Sequence, residues 1–362
     1  MSAPRLMVAA AGTGGHVMPG IAVARELAAR GWQVSWLGTT RGMERGLVER
    51  QGIAFDALDF SGLRGKGLKT ALFGGFKLLR AIFASRRLLR RRQPALLFTT
   101  GGYVAVPAGL AASAGGVPLV LMNCDAEPLL STRVLQPLAA GVMLGFDGAA
   151  ARRAGGKGLV TGNPVRAEIV AIPAPAQRYA GRSGPLRVLV FGGSLGARVL
   201  NETLPAALAQ MPAATRPSVV HQCGAEALPA VRAAYEAAGI DAEVHAFIDD
   251  MAERYAACDL VIARAGATTV SELAAAGVPA ILVPLVVSTT AHQRGNAEFM
   301  AAHDAAIHLP QAELSPERLA RELAGLTRER VQAMAEHARV LGKPQAARLV
   351  ADAIEHIVRE AA

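Results

Sequence analysis

The feature that most constrains this chain is an alternation that runs once and then begins again. Leu6–Ala11 reads as a buried strand, followed by a Gly-rich turn and a helix over about Val17–Arg30. Gln33–Leu37, Phe55–Phe60, Ala95–Thr99, Pro118–Met122 and Gly141–Leu144 continue the strand series, with helix-length segments between them. After a breaker-rich stretch near 164–185, Leu186–Phe191 opens a second series. It continues through Ser218–Gln222, Glu243–Phe247, Leu260–Ala263 and Ala280–Pro284 and ends in helix from about Glu317. Strands separated by helices pair in parallel through right-handed crossovers. The expectation is an α/β chain of two Rossmann-like, doubly wound domains, residues 1–165 and 166–342, with a ligand cleft between them. A terminal helix over 343–362 is expected to pack back on the first domain. The 362 residues exceed one ordinary core, and 52% hydrophobic with only 4% aromatic residues suits closely layered helices and sheets.

The formal net charge of +9 points to anionic partners. Cys124, Cys223 and Cys258 are far apart and form no CxxC or Cys/His cluster, so neither a disulfide framework nor a metal site is expected. The first residues show no basic segment leading into a long apolar one. No run approaches the ~18 apolar residues of a membrane span. A cytoplasmic chain is expected.

Two glycine-rich turns carry the chemistry. Gly12-Thr13-Gly14-Gly15-His16 joins the first strand to the first helix, and Gly192-Gly193-Ser194-Leu195-Gly196 does the same in the second half. Glycine allows close backbone approach, and the helix behind each turn offers unpaired N–H groups and a positive dipole end. One such loop is most simply a tight turn; two in equivalent places favour phosphate binding. Neither is a dinucleotide fingerprint. Val17 occupies the third glycine position, and no acidic residue ends the strand running into Gly38-Thr39-Thr40. A GxxxxGK[ST] loop is absent, which argues against a P-loop enzyme.

Arg264-Ala265-Gly266-Ala267-Thr268-Thr269-Val270-Ser271-Glu272 follows another strand. Gly266 marks a turn, Thr268 or Thr269 suits a helix cap, and Glu272 falls one turn in. That carboxylate suits the two hydroxyls of a ribose or, equally, a capping box. Residues 69–92, KTALFGGFKLLRAIFASRRLLRRR, combine Leu72, Phe73, Phe76, Leu79, Ile82 and Phe83 at helical spacing with Lys77, Arg80 and further arginines. An apolar stripe edged with arginine suits an anionic membrane surface, although part of it must cover the sheet. Stacking aromatics interleaved with the charge are missing, so nucleic acid is not expected as a partner.

Taken together, these segments resemble the MurG family across essentially the whole chain. The resemblance rests on Gly12–Gly20, Ser61–Gly67, Gly101-Gly102-Tyr103-Val104 and Thr161-Gly162-Asn163-Pro164-Val165-Arg166. It extends to Gly192–Ala197, Phe247–Met251 and Arg264–Glu272. It implies a GT-B fold and transfer of N-acetylglucosamine from UDP-N-acetylglucosamine to lipid I, giving lipid II, with inversion and with no required cofactor. The implied location is peripheral, on the cytoplasmic face of the inner membrane, with anionic lipid and cell-wall synthesis proteins as partners. By match, Ile248 holds the uracil, Ala267 to Glu272 line the nucleotide, Ser194 and Arg166 meet the diphosphate, and Gln293 reaches the sugar. Thr13, Gly14, Gly15 and His16 face the reacting centre. His16 is the general-base candidate and Asp125 its rival.

The chain departs from the family where His-Glu-Gln-Asn is usual: it has Met122-Asn123-Cys124-Asp125, with Leu129 and Thr132 in place of the family's following Gly and Asn. Asp125 thus stands where an amide would contact the donor sugar, and an ionised carboxylate accepts hydrogen bonds but donates none. The stretch Val286–Ala291 also replaces a more charged one.

Overall fold

The computed structural model of the chain describes residues 3–12, 14–61, 68–193, 195–285 and 292–361, and of residues 68–73 the backbone alone. The chain divides into two compact units, residues 1–165 with 345–362, and residues 166–344.

The first unit holds β1 Arg5–Ala10, β2 Gln33–Thr39, β3 Ala54–Leu58, β4 Leu96–Gly101, β5 Leu119–Asn123, β6 Gly141–Leu144 and β7 Gly158–Val160. They form one sheet in the order β3-β2-β1-β4-β5-β6-β7, and every described pairing is parallel. The second unit holds β8 Arg187–Phe191, β9 Ser218–Gln222, β10 Ala242–His245, β11 Leu260–Ala263, β12 Ala280–Leu282 and β13 Ala306–His308. These run β10-β9-β8-β11-β12-β13, again in parallel. Helices cover both faces, so the central strands are apolar along their length. Leu6 to Ala10 and Leu260 to Ala263 are all fully buried. In each sheet the order reverses beside the first strand, between β1 and β4 and between β8 and β11. The loops leaving the carboxyl ends of these pairs diverge, and that divergence opens a crevice.

β7 and β13 were not anticipated from the sequence. Each has three residues and lies at a sheet edge, too short for any hydrophobic period to register. The first helix begins at Gly14, three residues earlier than its pattern indicated.

The terminal helix Ala346–Ala361 belongs to the first unit and packs on the helix Gly14–Ala29. Arg30 Nη1 meets Asp352 at 2.6 Å and Glu355 at 3.1 Å, and Trp32 Nε1 donates to Glu355 at 3.2 Å.

The helix Leu68–Arg92 has two apolar faces. One packs on the core through Leu78, Ala81, Ile82, Ala84, Leu88 and Leu89. The other is open: Phe76 is 68% exposed, Leu79 56% and Phe83 69%. Lys77 and Arg80 are exposed on it as well. Ile82 is a correction to the expected membrane-facing set, because its position brings it round to the sheet beside Leu78. The side chains of Leu72 and Phe73 lie outside the described residues. Arg91 and Arg92 tie the end of the helix to the buried carboxylate of Asp56, with Arg92 Nε at 2.7 Å.

A buried polar chain supports the second sheet. Tyr235 OH donates to His221 Nδ1 at 2.9 Å, His221 Nε2–H donates to Asn201 Oδ1 at 3.2 Å, and Asn201 Nδ2 donates to the Cys223 carbonyl at 3.0 Å. Asn201's use of Nδ2 on a carbonyl leaves Oδ1 as acceptor, which requires the Nε2–H tautomer. Burial lowers the His221 pKa from 6.5 to about 4. The unfolded chain therefore binds a proton that the native chain refuses between those two values. The stabilisation is fully present above about pH 6.5 and is lost as pH falls toward 4, a total of about 3 kcal/mol. Thermal melts across this window should show the parent losing Tm more steeply than His221→Gln. Equal slopes would refute this account.

Candidate active site

In the first unit the site is built where β1 and β4 part. The loop after β1 turns through Gly12 at φ 106° into the helix that starts at Gly14, which puts Gly14, Gly15 and His16 in its first turn. His16 Nδ1 lies 2.9 Å from the Thr100 carbonyl, and Thr100 Oγ1 donates to the His16 carbonyl at 2.6 Å. A carbonyl can only accept, so Nδ1 carries the proton and Nε2 is the basic nitrogen. The loop after β4 approaches closely at Gly102, whose φ is +84°; a Cβ there would lie 1.9 Å from the Ala11 carbonyl oxygen. A side chain at 102 would therefore separate the two loops that hold His16 in place.

Asp125 is buried two residues beyond β5. The preceding Asn123, fully buried, organises this turn. Its Nδ2 donates to the carbonyls of Asp125 at 2.6 Å and Glu127 at 3.0 Å, and its Oδ1 accepts from Leu129 N and Thr132 Oγ1, both at 2.9 Å. The departures noted at 123, 129 and 132 thus form one hydrogen-bonded set. In the sequence Asn123 stands out only as part of an altered segment; its pairing with Thr132, nine residues on, is visible only once the turn is folded.

In the second unit the corresponding place lies between β8 and β11. The loop after β8 passes Gly193 at φ +92° and Gly196 at φ +75°, and a Cβ at 196 would lie 1.9 Å from the Cys223 carbonyl oxygen. The helix Ala267–Ala276 follows β11, with Gly266 as its N-cap and no side-chain cap. This corrects the expected cap at Thr268 or Thr269: the helix starts at residue 267, and both threonines sit inside its first turn. The amides of Ala267, Thr268 and Thr269 have no acceptor within the helix. Val270 donates to the Gly266 carbonyl at 2.9 Å and its side chain is fully buried, so it builds the helix rather than offering a contact, a second correction. Ser271 is buried.

Glu272 is 6% exposed. Its Oε1 meets Arg166 Nε at 2.9 Å and its Oε2 lies 3.4 Å from Tyr255 OH. Burial pushes the carboxyl pKa up, against the opposing pull of Arg166. Glu272 is therefore held by an ion pair and not by a capping box. Two residues expected to touch different parts of a ligand are here each other's partners. Arg166 spends one of its five N–H groups on this bond, and Glu168 lies 3.8 Å from its Nη1. Ile248 is buried, next to exposed Phe247. Gln293 accepts from Leu285 N at 2.9 Å through Oε1, which turns its donor end the other way. Asn296, fully buried, donates to the Ala265 carbonyl at 3.0 Å and braces the turn before the helix.

Thr13, Ser194, the motif 62–67 and the stretch 286–291 lie outside the described residues. Among the described residues no cluster of His, Cys, Asp or Glu could hold a metal, and no helix is long and apolar enough to cross a membrane. A cavity of about 440 Å³ in the first unit is lined by Val117, Pro118 and Ile357, at the amino end of β5 and away from both crevices.

Comparison with known proteins agrees with this layout. The glycosyltransferase family 28 N-terminal domain matches residues 6–144 and its C-terminal domain residues 187–354. The UDP-N-acetylglucosamine–N-acetylmuramyl-(pentapeptide) pyrophosphoryl-undecaprenol N-acetylglucosamine transferase of Methylibium petroleiphilum is 58% identical, covering 99% of this chain and 99% of that protein. The enzyme of the same description from a Janthinobacterium strain is 55% identical over 98% and 99%. The crystal structure of Acinetobacter baumannii MurG superposes with a TM-score of 0.84 at 36% identity, covering 98% of this chain and 99% of that one. Two parallel sheets that each reverse beside their first strand, a glycine-rich turn in each, and full-length identity above half establish that the chain belongs to the MurG family within glycosyltransferase family 28.

Proposed function

We propose that this chain transfers N-acetylglucosamine from UDP-N-acetylglucosamine to the muramyl-pentapeptide carried on undecaprenyl pyrophosphate, inverting the anomeric centre, in peptidoglycan synthesis. The structural observation that carries the reading is Glu272, a buried carboxylate fixed one turn into the helix Ala267–Ala276, which opens at the reversal point of the second sheet. A nucleotide there would set its ribose hydroxyls on Glu272 and its diphosphate against the amides of residues 267–269 and the Arg166 guanidinium. Ile248, Ser194 and Gln293 are assigned to the uracil, the diphosphate and the sugar.

In the transfer step an acceptor hydroxyl attacks the anomeric carbon. The bond from that carbon to the diphosphate oxygen breaks, and UDP leaves with the electron pair. His16 Nε2 takes the hydroxyl proton, because Thr100 holds the other nitrogen protonated. Fixed N–H dipoles and Arg166 stabilise the leaving charge without having to reorganise. The direct test follows labelled N-acetylglucosamine from its UDP donor onto a short-chain lipid I analogue, beside a panel of other UDP-sugars. Transfer from UDP-N-acetylglucosamine alone supports the reading, and preference for another sugar would move the donor assignment.

The membrane assignment rests on Phe76, Leu79 and Phe83, which share one open face of the Leu68–Arg92 helix with Lys77 and Arg80. Arginines at its edge favour anionic lipid at the inner face of the plasma membrane. Burying two phenyl rings contributes about 3 kcal/mol or more. Phe76→Ser combined with Phe83→Ser should therefore weaken binding to anionic liposomes at least tenfold with little change in Tm, since neither ring touches the core. Undiminished flotation would refute the assignment.

A further inference from the structure

We infer that Tyr255 is a positioning residue that joins the three parts of the nucleotide site, and this rests on the assignment of Glu272 to the ribose. Tyr255 belongs to the helix Met251–Ala257, which begins three residues after Ile248, the residue assigned to the base. Its side chain is 1% exposed, so its contacts are fixed by packing. Its hydroxyl reaches Glu272 Oε2 at 3.4 Å, while Arg166 takes Oε1 at 2.9 Å. Its ring packs on Phe191, with centroids 6.1 Å apart and planes tilted by 57°. Phe191 ends β8, and Gly192 of the second glycine-rich turn follows it directly. Its backbone carbonyl accepts from Arg178 Nη1 at 3.3 Å, which fixes the helix behind it.

One side chain therefore touches the ribose carboxylate, rides on the helix behind the base segment, and packs on the strand end that feeds the diphosphate turn. A carboxylate held on one oxygen can rotate about its last torsion. Held on both, it presents the same lone pairs to two adjacent hydroxyls every time a nucleotide enters. Burial keeps the phenol well above its ordinary pKa, so it stays protonated and can only donate toward Glu272. The contact is long for an O–H···O bond, so its loss should alter selectivity more than overall stability.

The test is calorimetric binding of UDP and of 2′-deoxy-UDP to the full chain and to Tyr255→Phe, with a thermal melt beside each. Phenylalanine keeps the ring against Phe191 and removes only the hydroxyl. The parent should prefer UDP, and the variant should bind UDP about 3- to 10-fold more weakly while 2′-deoxy-UDP, which keeps only one of the two hydroxyls, is weakened less, so that the preference shrinks. In turnover the same variant should raise KM for the donor by a similar factor and leave kcat unchanged. A variant that keeps the parent's preference for ribose would overturn the role of Tyr255 and leave Glu272 standing. A parent that binds the two nucleotides equally would overturn the ribose assignment itself, and this inference with it.

Discussion

Glu272→Ala is expected to lower kcat/KM for the UDP donor by about 10²-fold or more, with UDP affinity falling by the same factor. Hydrogen bonds to a charged group contribute about 1.5–3 kcal/mol each, and Glu272 offers two acceptors to a ribose. Two such bonds correspond to about two or more decades in affinity. Glu272→Gln should fall between parent and alanine variant, because one carboxamide oxygen still accepts. Acidity gives a second check on the same residue. Burial raises the Glu272 carboxyl, so UDP affinity should fall on acidification at a higher pH than an exposed glutamate would dictate. The loss follows protonation, which removes the charge and turns one of the two acceptor oxygens into a donor. Calorimetry on a folded Glu272→Ala that still bound UDP like the parent would end the assignment.

His16→Ala is expected to reduce kcat by roughly 10²- to 10⁴-fold, the usual range for removing a positioned general base. UDP affinity should be unchanged, since His16 lies in the first unit and the nucleotide is assigned to the second. The Thr100 carbonyl makes this a sharp test. It fixes the proton on Nδ1, so a substitution that keeps size but not basicity, such as His16→Gln, should fail as badly as alanine. Near-normal turnover in His16→Ala, together with a collapse in Asp125→Asn, would transfer the role to Asp125.

The central strands were legible because a parallel strand covered on both faces must be apolar throughout. Leu6 to Ala10 and Leu260 to Ala263 could hardly be read otherwise. β7 escaped because it is an edge strand with Leu159 and Val160 exposed, so its sequence carries no burial signal. The helix Leu68–Arg92 was legible as amphipathic, but it is apolar on two faces, and periodicity alone does not say which one meets the sheet. Ile82 and Phe83 are adjacent in sequence and about 100° apart on the helix, which separates core from surface between them. Glu272 was legible as chemistry but ambiguous in role, because a ribose ligand and a capping box share a spacing. The ion pair with Arg166, 106 residues away, resolves it toward a tertiary partner. Tyr255 carried no signal at all: a single tyrosine on a seven-residue helix fits no motif.

The salt link between Arg30 and the terminal helix has a bearing on how the molecule is made. The first unit is discontinuous, interrupted by 179 residues that form the second. A ribosome releases the seven-stranded sheet early but delivers its last covering helix only after the whole second unit has been made. Until then the side of the Gly14–Ala29 helix that receives Ala346–Ala361 stays bare, while the second unit already has every strand it needs. The amino-terminal half should thus finish folding after the carboxyl-terminal half, the reverse of the order of translation. A nonsense codon within the helix Ala346–Ala361 would damage the unit whose sheet is encoded before the second unit.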